Sequence, residues 1–414
     1  MRLSKSWILF SLFNFLIAAL MGLVLRGAFV WEISLLDYRN MMHGHSHVAM
    51  LGWVYLALYI LIGDRFIPSE KWSNPVYTKL FWFTQFTVVG MMISFPIQGY
   101  GAISITFSAL HILASYGFIY LVWRDHRITK PAISLMLKTA LVLMGISTIG
   151  VWSLGPIIEF DGRNSMFYQL AVQFYLHFQF HGWFTFALLA LLLDIVSKKT
   201  LIHSITFKKF YAMLLASVIL TYGLVLSWGF GGTVPLIVNG LGLLLQLVAM
   251  LLYLKLLKDA DDRILSNLSP SVKGFYYFGM FTWIAKVAVQ LAVLLPAAAA
   301  VALVLRPLMI GFIHLTLLGF VSGLLFALIF GSLQFSATDS LSYWGKVSFF
   351  SGFVLTELML FVQGLFYWFQ WGQLPAFYEL IFGASLLLPL AIVLLGAGII
   401  KHFNVRRIRR VELV

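Results

Sequence analysis

The sequence predicts an all-α polytopic membrane protein with about twelve transmembrane helices. Of its 414 residues, 61% are hydrophobic and only 10% are charged, and the mean hydropathy is +0.94. Soluble domains do not have this composition. Twelve apolar runs approach the roughly 20 residues that a helix needs to cross a bilayer. They begin near Trp7, Gly44, Tyr77, Gly101, Ile133, Leu170, Lys208, Val234, Lys273, Pro307, Trp344 and Phe377.

A motif that occurs three times divides the chain into three similar units. Each copy has a histidine, four further residues, then a glycine and a large aromatic residue. The histidines are 130 and 137 residues apart, about the length of four membrane helices with their loops. We therefore expect one transmembrane domain, 1–414, made of three pseudo-equivalent four-helix units, approximately 1–130, 131–270 and 271–414. The copies are His47 with Gly52 and Trp53, His177 with Gly182 and Trp183, and His314 with Gly319 and Phe320.

The charge distribution predicts the orientation in the membrane. The formal net charge is +13, but lysine and arginine lie mainly in alternate loops, as the positive-inside rule describes. Both termini are therefore expected in the cytoplasm of a bacterial-type inner membrane, and nucleic acid is not an expected partner. The first segment is predicted to be a retained span rather than a signal peptide, because no small-residue cleavage site follows it. The basic tail Arg406–Arg410 is expected to contact anionic membrane lipid.

The chain has no cysteine, which excludes disulfides, thiolate metal sites, iron–sulfur clusters and covalent c-type haem. Any cofactor must be held by histidine or carboxylate. A histidine inside a membrane is costly unless it has a partner, and is therefore a functional hypothesis by default. Histidines at equivalent positions of the second, sixth and tenth helices predict convergence on one internal cavity that holds a haem or a metal.

The helical period refines this prediction, because residues advance about 100° each. His43 and His47 share one face of the second helix, whereas His45 points nearly the opposite way. This helix can therefore address two cavities, or bind one cofactor and form a hydrogen bond on its other side. His177 and His181 are four residues apart and share a face. Three further histidines lie in predicted cytoplasmic connections, and we predict no function for them. They are His126, His203 and His402.

The segment from His45 to Trp53 resembles the haem-ligand helices of subunit I of the haem-copper oxidase superfamily. That superfamily includes the cytochrome c and quinol oxidases and the nitric oxide reductases. Its members have twelve helices in a pseudo-threefold arrangement, with ligands on the second, sixth and tenth. The resemblance implies a haem b with His45 and His314 as its axial ligands. It also implies that Arg39 and Arg306 pair with the haem propionates, although interfacial snorkelling explains these arginines equally well.

Two departures from the family pattern concern its second metal centre. Phe312 stands where the family has the ligand of the high-spin haem, and the seventh helix lacks the adjacent histidine pair that holds copper. The usual copper centre is therefore expected to be absent. A second metal, whether copper, iron or zinc, would have to use other donors. The candidates are His43, His47, His111, His177 and His181, and a structural role is at least as good an explanation for His111.

Two ionisable residues are predicted within later spans, Lys286 in the ninth helix and Glu357 in the eleventh. Charged groups in a membrane usually pair with one another. Mutual neutralisation is therefore the first expectation for this lysine and glutamate, and a proton relay is the alternative.

The resemblance implies a b-type haem membrane protein that acts in respiratory electron transfer or in handling oxygen or nitric oxide. Its electron donor would be another subunit or a quinol, and any activity would be that of an oxidoreductase. A haem-based sensor that catalyses no reaction is an alternative. A different interpretation is a transition-metal transporter that binds its ion with His43, His45 and His47. A third is an assembly subunit whose histidines only hydrogen-bond between helices.

Overall fold

The computed structural model describes residues 4–34, 36–196, 204–258, 268–302, 304–333 and 340–411. Within these ranges the chain is helical and contains no β-strand. Eleven helices are long and apolar enough to cross a membrane, which confirms the prediction of an all-α polytopic membrane protein. His203 and most of the connection between Lys255 and Lys273 lie outside the described residues, as do the side chains of Arg406–Arg410.

Twelve long helices follow one another along the described ranges. The ninth, α9, is long enough to span but is not among the eleven, because it carries Lys273, Lys286 and Gln290. The helices are α1 Lys5–Gly27, α2 Tyr38–Phe66, α3 Pro75–Gln98, α4 Ala102–Asp125, α5 Pro131–Phe160, α6 Met166–Ile195, α7 Ile205–Phe230, α8 Thr233–Lys258, α9 Pro270–Ala292, α10 Arg306–Ser332, α11 Ser340–Trp368 and α12 Phe377–Asn404.

Capping residues set where several helices begin. α2 begins at Tyr38, earlier than the apolar run predicted from Gly44, because the Asp37 carboxylate accepts a hydrogen bond from the Asn40 backbone N–H at 2.9 Å. This N-cap extends the helix into a polar stretch that hydropathy does not detect. Three other helices begin with proline, whose fixed φ suits the first helical turn. They are α3 with Pro75, α5 with Pro131 and α9 with Pro270.

The histidine-bearing helices α2, α6 and α10 form the interior of the bundle. Their most apolar stretches are 83%, 89% and 72% buried, against 33–50% for the other candidate spans. Helices that follow one another in the chain are in contact, and α12 also packs on α1. The outer helices therefore form a closed ring around three inner ones, with their remaining apolar side chains directed outward, as lipid contact requires.

The inner helices meet through their C-terminal halves. There the Trp53 indole N–H donates a hydrogen bond to the Ser322 hydroxyl at 2.9 Å, and the Trp53 ring stacks on Phe15 with centroids 4.7 Å apart. The N-terminal halves are packed less closely, since one residue is buried in each of Tyr38–His47 and Arg306–His314. The three helices therefore diverge toward their N-terminal ends.

Each inner helix changes from α-helical to π-helical geometry directly after its motif histidine. Each π-helical segment contains the motif glycine and aromatic residue. A π-helical turn is rare and occurs frequently at functional sites. Its recurrence at the same register means that the three copies of the motif share a backbone conformation as well as a sequence pattern. The segments are Val48–Tyr55, Phe178–Phe184 and Leu315–Val321, which follow His47, His177 and His314.

The motif glycines allow the outer helices to approach these segments closely. A methyl group at Gly52 would lie 2.9 Å from Val88 Cγ1 of α3, and one at Gly319 would lie 2.8 Å from Phe353 Cζ of α11. At Gly182 the nearest side-chain atom, on α5, would be 3.0 Å away. Small residues at helix interfaces are a general device of membrane bundles, so the glycine belongs to the packing of each unit.

An ion-pair cluster joins the C-terminal ends of α2 and α6. The Asp194 carboxylate accepts a hydrogen bond from Arg65 Nε at 2.5 Å and lies 3.3 Å from Lys130 Nζ. Lys130 precedes the first residue of α5, so three separate segments meet at this carboxylate. The first two units are therefore tied together at this end of the bundle.

We predict that Gly52→Ala destabilises the protein by about 1–3 kcal/mol, the usual cost of overpacking. The new methyl group would also lie 3.0 Å from Asn14 Cβ, so neighbouring helices on two sides must move. Thermal unfolding in detergent, followed by circular dichroism, measures the change. The control is Gly155→Ala, where no atom lies within 4 Å of the added carbon. Equal melting temperatures for the two variants would contradict the assignment of Gly52 to helix packing.

Candidate functional site

The three motif histidines do not converge on one cavity, so that prediction is wrong. His47 packs against α3, His177 donates from Nε2 to the Val218 carbonyl of α7 at 2.7 Å, and His314 Nδ1 lies 3.7 Å from Glu357 Oε1 of α11. Each therefore faces the outer helix that follows its own inner helix. Pseudo-threefold symmetry explains the error, because side chains that point sideways from equivalent helices diverge.

These contacts define three sectors, each a wedge between two inner helices and the outer helices that join them. We name each sector after its motif histidine. The His47 sector lies between α2, α3, α4 and α6, and the His177 sector lies between α6, α7, α8, α9 and α10. The His314 sector is bounded by α10, α11, α12, α1 and α2. An inner helix borders two sectors and can supply side chains to both.

His45 faces the His314 sector, on the opposite side of α2 from His47. Its Nδ1 lies 2.8 Å from the Ala18 carbonyl oxygen of α1. Because a carbonyl oxygen only accepts, the proton is on Nδ1 and the Nε2 lone pair is free. A methyl group at Gly22 would lie 2.9 Å from the imidazole Cε1, so this glycine makes room for the ring. The structure confirms that His45 and His47 point to opposite sides of α2, as the helical period predicted.

His314 and Glu357 complete the centre of the His314 sector. His314 lies within electrostatic range of His45 and Arg26, and its side chain is 24% accessible, whereas that of Glu357 is 8% accessible. Neither His314 Nδ1 nor the Glu357 carboxyl oxygens have a hydrogen-bond partner among the described residues. Buried polar atoms without partners are rare in folded proteins, and each one needs a physical explanation. Two imidazoles from facing helices are the donor set of a six-coordinate haem iron.

Two arginines lie near the outer end of this sector. Arg26, at the end of α1, donates hydrogen bonds to the Ser385 hydroxyl and the Ile381 carbonyl of α12. Tyr38 is within electrostatic range of both Arg26 and Arg306. Sequence reasoning gave Arg26 no role, because only the fold shows that the end of α1 lies beside the start of α10.

Arg39 lies on a different side of α2 from His45. It is within electrostatic range of His43 and Tyr100, which belong to the His47 sector. The structure therefore does not bring Arg39 together with Arg306, although the two occupy the same register of the repeat. The divergence that separates the motif histidines separates these arginines as well.

The His47 sector is lined by stacked aromatic and imidazole rings. The His47 ring stacks on Phe95 at 4.2 Å, and the His43 ring lies 4.6 Å from that of Tyr100. His47 Nδ1 donates to the His43 carbonyl at 2.9 Å, which leaves its Nε2 free. Burial raises the pKa of the Tyr100 hydroxyl above its ordinary value, so this hydroxyl keeps its proton.

His111 enters the same sector from α4. Its ring lies 4.8 Å from that of Tyr55, and it is within electrostatic range of His47. Its Nε2 and the Tyr55 hydroxyl have no hydrogen-bond partner in the part of the chain that the structure describes. An ordered water could bridge two such atoms.

The side-chain amine of Lys286 lies in the His177 sector. Lys286 Nζ lies 3.0 Å from His181 Nδ1 and 2.9 Å from Gln290 Oε1, and the residue is 1% exposed. The lysine and Glu357 therefore lie in different sectors, so the predicted mutual neutralisation is wrong. Phe312 faces the lysine, with its ring centroid 6.0 Å from Nζ.

The five donors predicted for a second metal do not gather in one place. His43, His47 and His111 line one sector, whereas His177 and His181 line another. Among the described residues no group of three or more histidine or acidic side chains has a geometry that would hold a metal ion. The three histidines of the transporter interpretation are also divided, because His45 faces away from the other two.

Comparison of the chain with protein-family models gives no match, and a search of the curated proteins gives none either. A function must therefore be inferred from the residues of the His314 sector and their geometry.

Proposed function

We propose that this chain is a b-type haem protein of the membrane, with His45 and His314 as the two axial ligands in the His314 sector. One observation carries the proposal. Imidazoles from two inner helices face the same sector, and the hydrogen bond from His45 Nδ1 to Ala18 leaves the coordinating nitrogen Nε2 free. Ligand histidines typically donate their other ring nitrogen to a carbonyl or carboxylate, which is the arrangement at His45.

Electron transfer is the activity that this ligand pair supports best. When bound between two histidines, a haem supplies one-electron redox chemistry and has no open position for a gas. The chain's own part is to orient the rings. α1 fixes the plane of His45 through Ala18 and leaves space for it at Gly22. The inner helices, packed at their C-terminal halves, hold the two ligands at a constant separation.

Arg26 and Arg306 are the cationic groups suited to the propionates. Both lie within electrostatic range of Tyr38 at the outer end of the sector, and guanidinium groups bind carboxylates in a bidentate geometry. Arg26 therefore has the propionate-binding role that the sequence predicted for Arg39. The electron donor would be a quinol or a protein that approaches this outer end.

The cytoplasmic membrane is the proposed location, with both termini in the cytoplasm. Lys5 Nζ donates to Asn404 Oδ1 at 3.3 Å, so the two ends of the described chain lie at the same end of the bundle. The loops at that end carry most of the lysine and arginine, which favours a cytoplasmic position.

Loss of either axial ligand should abolish haem binding. We expect His45→Ala and His314→Ala to lower the haem content at least about tenfold, since even the loss of a group that hydrogen-bonds to a metal ligand costs about 10–100-fold in metal affinity. The α-band of the dithionite-reduced, detergent-purified protein measures haem per chain. His43→Ala, on the opposite side of α2, is the control and should keep the band. Bound zinc without a Soret band would instead favour the transporter interpretation.

We expect a single haem per chain and no binding of carbon monoxide. Lys286 and Phe312 occupy the sector that would otherwise receive a second haem, and His177 and His181 each have one ring nitrogen engaged in a hydrogen bond there. A pyridine haemochrome assay gives the ratio of haem to protein, and the reduced spectrum with and without carbon monoxide tests for an open iron position. A second haem, or a shifted Soret band, would show that a gas-binding centre exists.

The cysteine-free chain allows the orientation to be tested directly. A cysteine in place of Asp161, in the loop between α5 and α6, should react with a membrane-impermeant maleimide on intact cells. A cysteine in place of Glu70, between α2 and α3, should react only after the membrane is opened. Both positions are exposed, so accessibility within the fold does not limit labelling. The reverse pattern would place the termini outside.

A further inference from the structure

We infer that Glu357 is a positioning residue for His314, accepting a hydrogen bond from His314 Nδ1–H and thereby lowering the redox potential of the haem. This inference rests on the proposed function, because it requires His314 Nε2 to be the coordinating atom. Nothing in the sequence pattern assigned Glu357 to a histidine, since the two residues lie on different helices and 43 positions apart.

The first support is the geometry of the pair. Glu357 Oε1 lies 3.7 Å from His314 Nδ1, slightly longer than a hydrogen bond, and neither group has another hydrogen-bond partner among the described residues. A buried carboxylate without hydrogen bonds is costly. Catalytic hydrogen bonds are often long in structures that lack the ligand and shorten when it is present. A small rotation of the imidazole toward its coordinating position would satisfy both residues.

The second support is the environment of the carboxylate. Arg26 lies within electrostatic range of Glu357, so a positively charged group stands near the carboxyl group. The Arg26 guanidinium directs its hydrogen bonds to Ser385 and Ile381 of α12. It therefore supplies positive charge nearby without taking the hydrogen-bond acceptors of Glu357. The acceptors of the carboxylate stay available for the imidazole.

The two ligands then differ in their electron donation. His45 donates its Nδ1 proton to the neutral carbonyl of Ala18, whereas His314 would donate to a carboxylate. A carboxylate partner makes a ligand histidine more basic. A more basic ligand stabilises ferric over ferrous iron, so the potential falls. The same hydrogen bond would fix the plane of the His314 ring, which α10 alone leaves partly free.

Redox titration of the purified holoprotein at one fixed pH tests this inference. We expect Glu357→Gln to raise the ratio of ferrous to ferric haem about tenfold at a given ambient potential, which corresponds to 59 mV for a one-electron couple. Glu357→Asp, whose shorter side chain lengthens the hydrogen bond, should give a smaller shift in the same direction. The low-spin signal of the ferric haem in electron paramagnetic resonance should change more in Glu357→Gln than in Glu357→Asp.

Thr356→Val is the matched control. Thr356 is the residue before Glu357, is fully buried, and its hydroxyl bonds to Gly352 and Phe353 of its own helix. This variant should leave the potential and the resonance signal unchanged. A general disturbance of α11 would move both readouts in the control as well.

The outcomes separate this inference from the proposed function. Purified protein without haem would overturn both. A haem whose potential is the same in the wild type and in Glu357→Gln would overturn the inference alone. So would a Glu357→Asp variant that matches the wild type while Glu357→Gln shifts, because this would show a distant charge and not a hydrogen bond. If Glu357→Gln does not retain haem, the inference is tested with Glu357→Asp alone. A redox potential of Glu357→Asp equal to that of the wild type would then overturn the inference.

Discussion

The inner helices α2, α6 and α10 pack against one another through their C-terminal halves, and the placement of the histidines follows from this contact. Large side chains fill this contact, with Trp53 bonded to Ser322 and stacked on Phe15. It brings helices from all three units together and lets them diverge toward their N-terminal ends. The divergence creates the sectors, and the sectors decide which histidines share an environment. The outer helices approach closely at the motif glycines, and this packing fixes the rotation of each inner helix about its own axis.

Rotation of the inner helices explains why equivalent residues have different chemistry. His45 and Phe312 occupy the same register of the repeat, and each faces the sector that precedes its own unit. His45 thereby meets His314 and a carboxylate, whereas Phe312 meets the amine of Lys286. Equivalent positions of the repeat can in this way carry an imidazole in one sector and a phenyl ring in another. The symmetry of the backbone does not require symmetry of function.

Polar groups within the described spans are mostly satisfied, and the exceptions are informative. Lys286 has acceptors from His181 and Gln290. By contrast, His314 Nδ1 and both oxygens of Glu357 have no partner among the described residues, although they lie side by side. In a medium without water to satisfy them, such groups are expensive. The polar centre of the His314 sector therefore differs from that of the His177 sector, where the amine of Lys286 has two hydrogen-bond partners.

Hydropathy was sufficient to predict the fold class and the approximate positions of the spans, because it depends only on the order of residues. The sequence also placed His45 opposite His43 and His47, since the helical period fixes relative angles within one helix. Only the tertiary structure decided which side chains meet. Partners such as Glu357 and Arg26 come from helices far apart in the chain, and a π-helical turn shifts every angle after it. Pairing across helices depends on their rotation in the bundle, which no local pattern encodes.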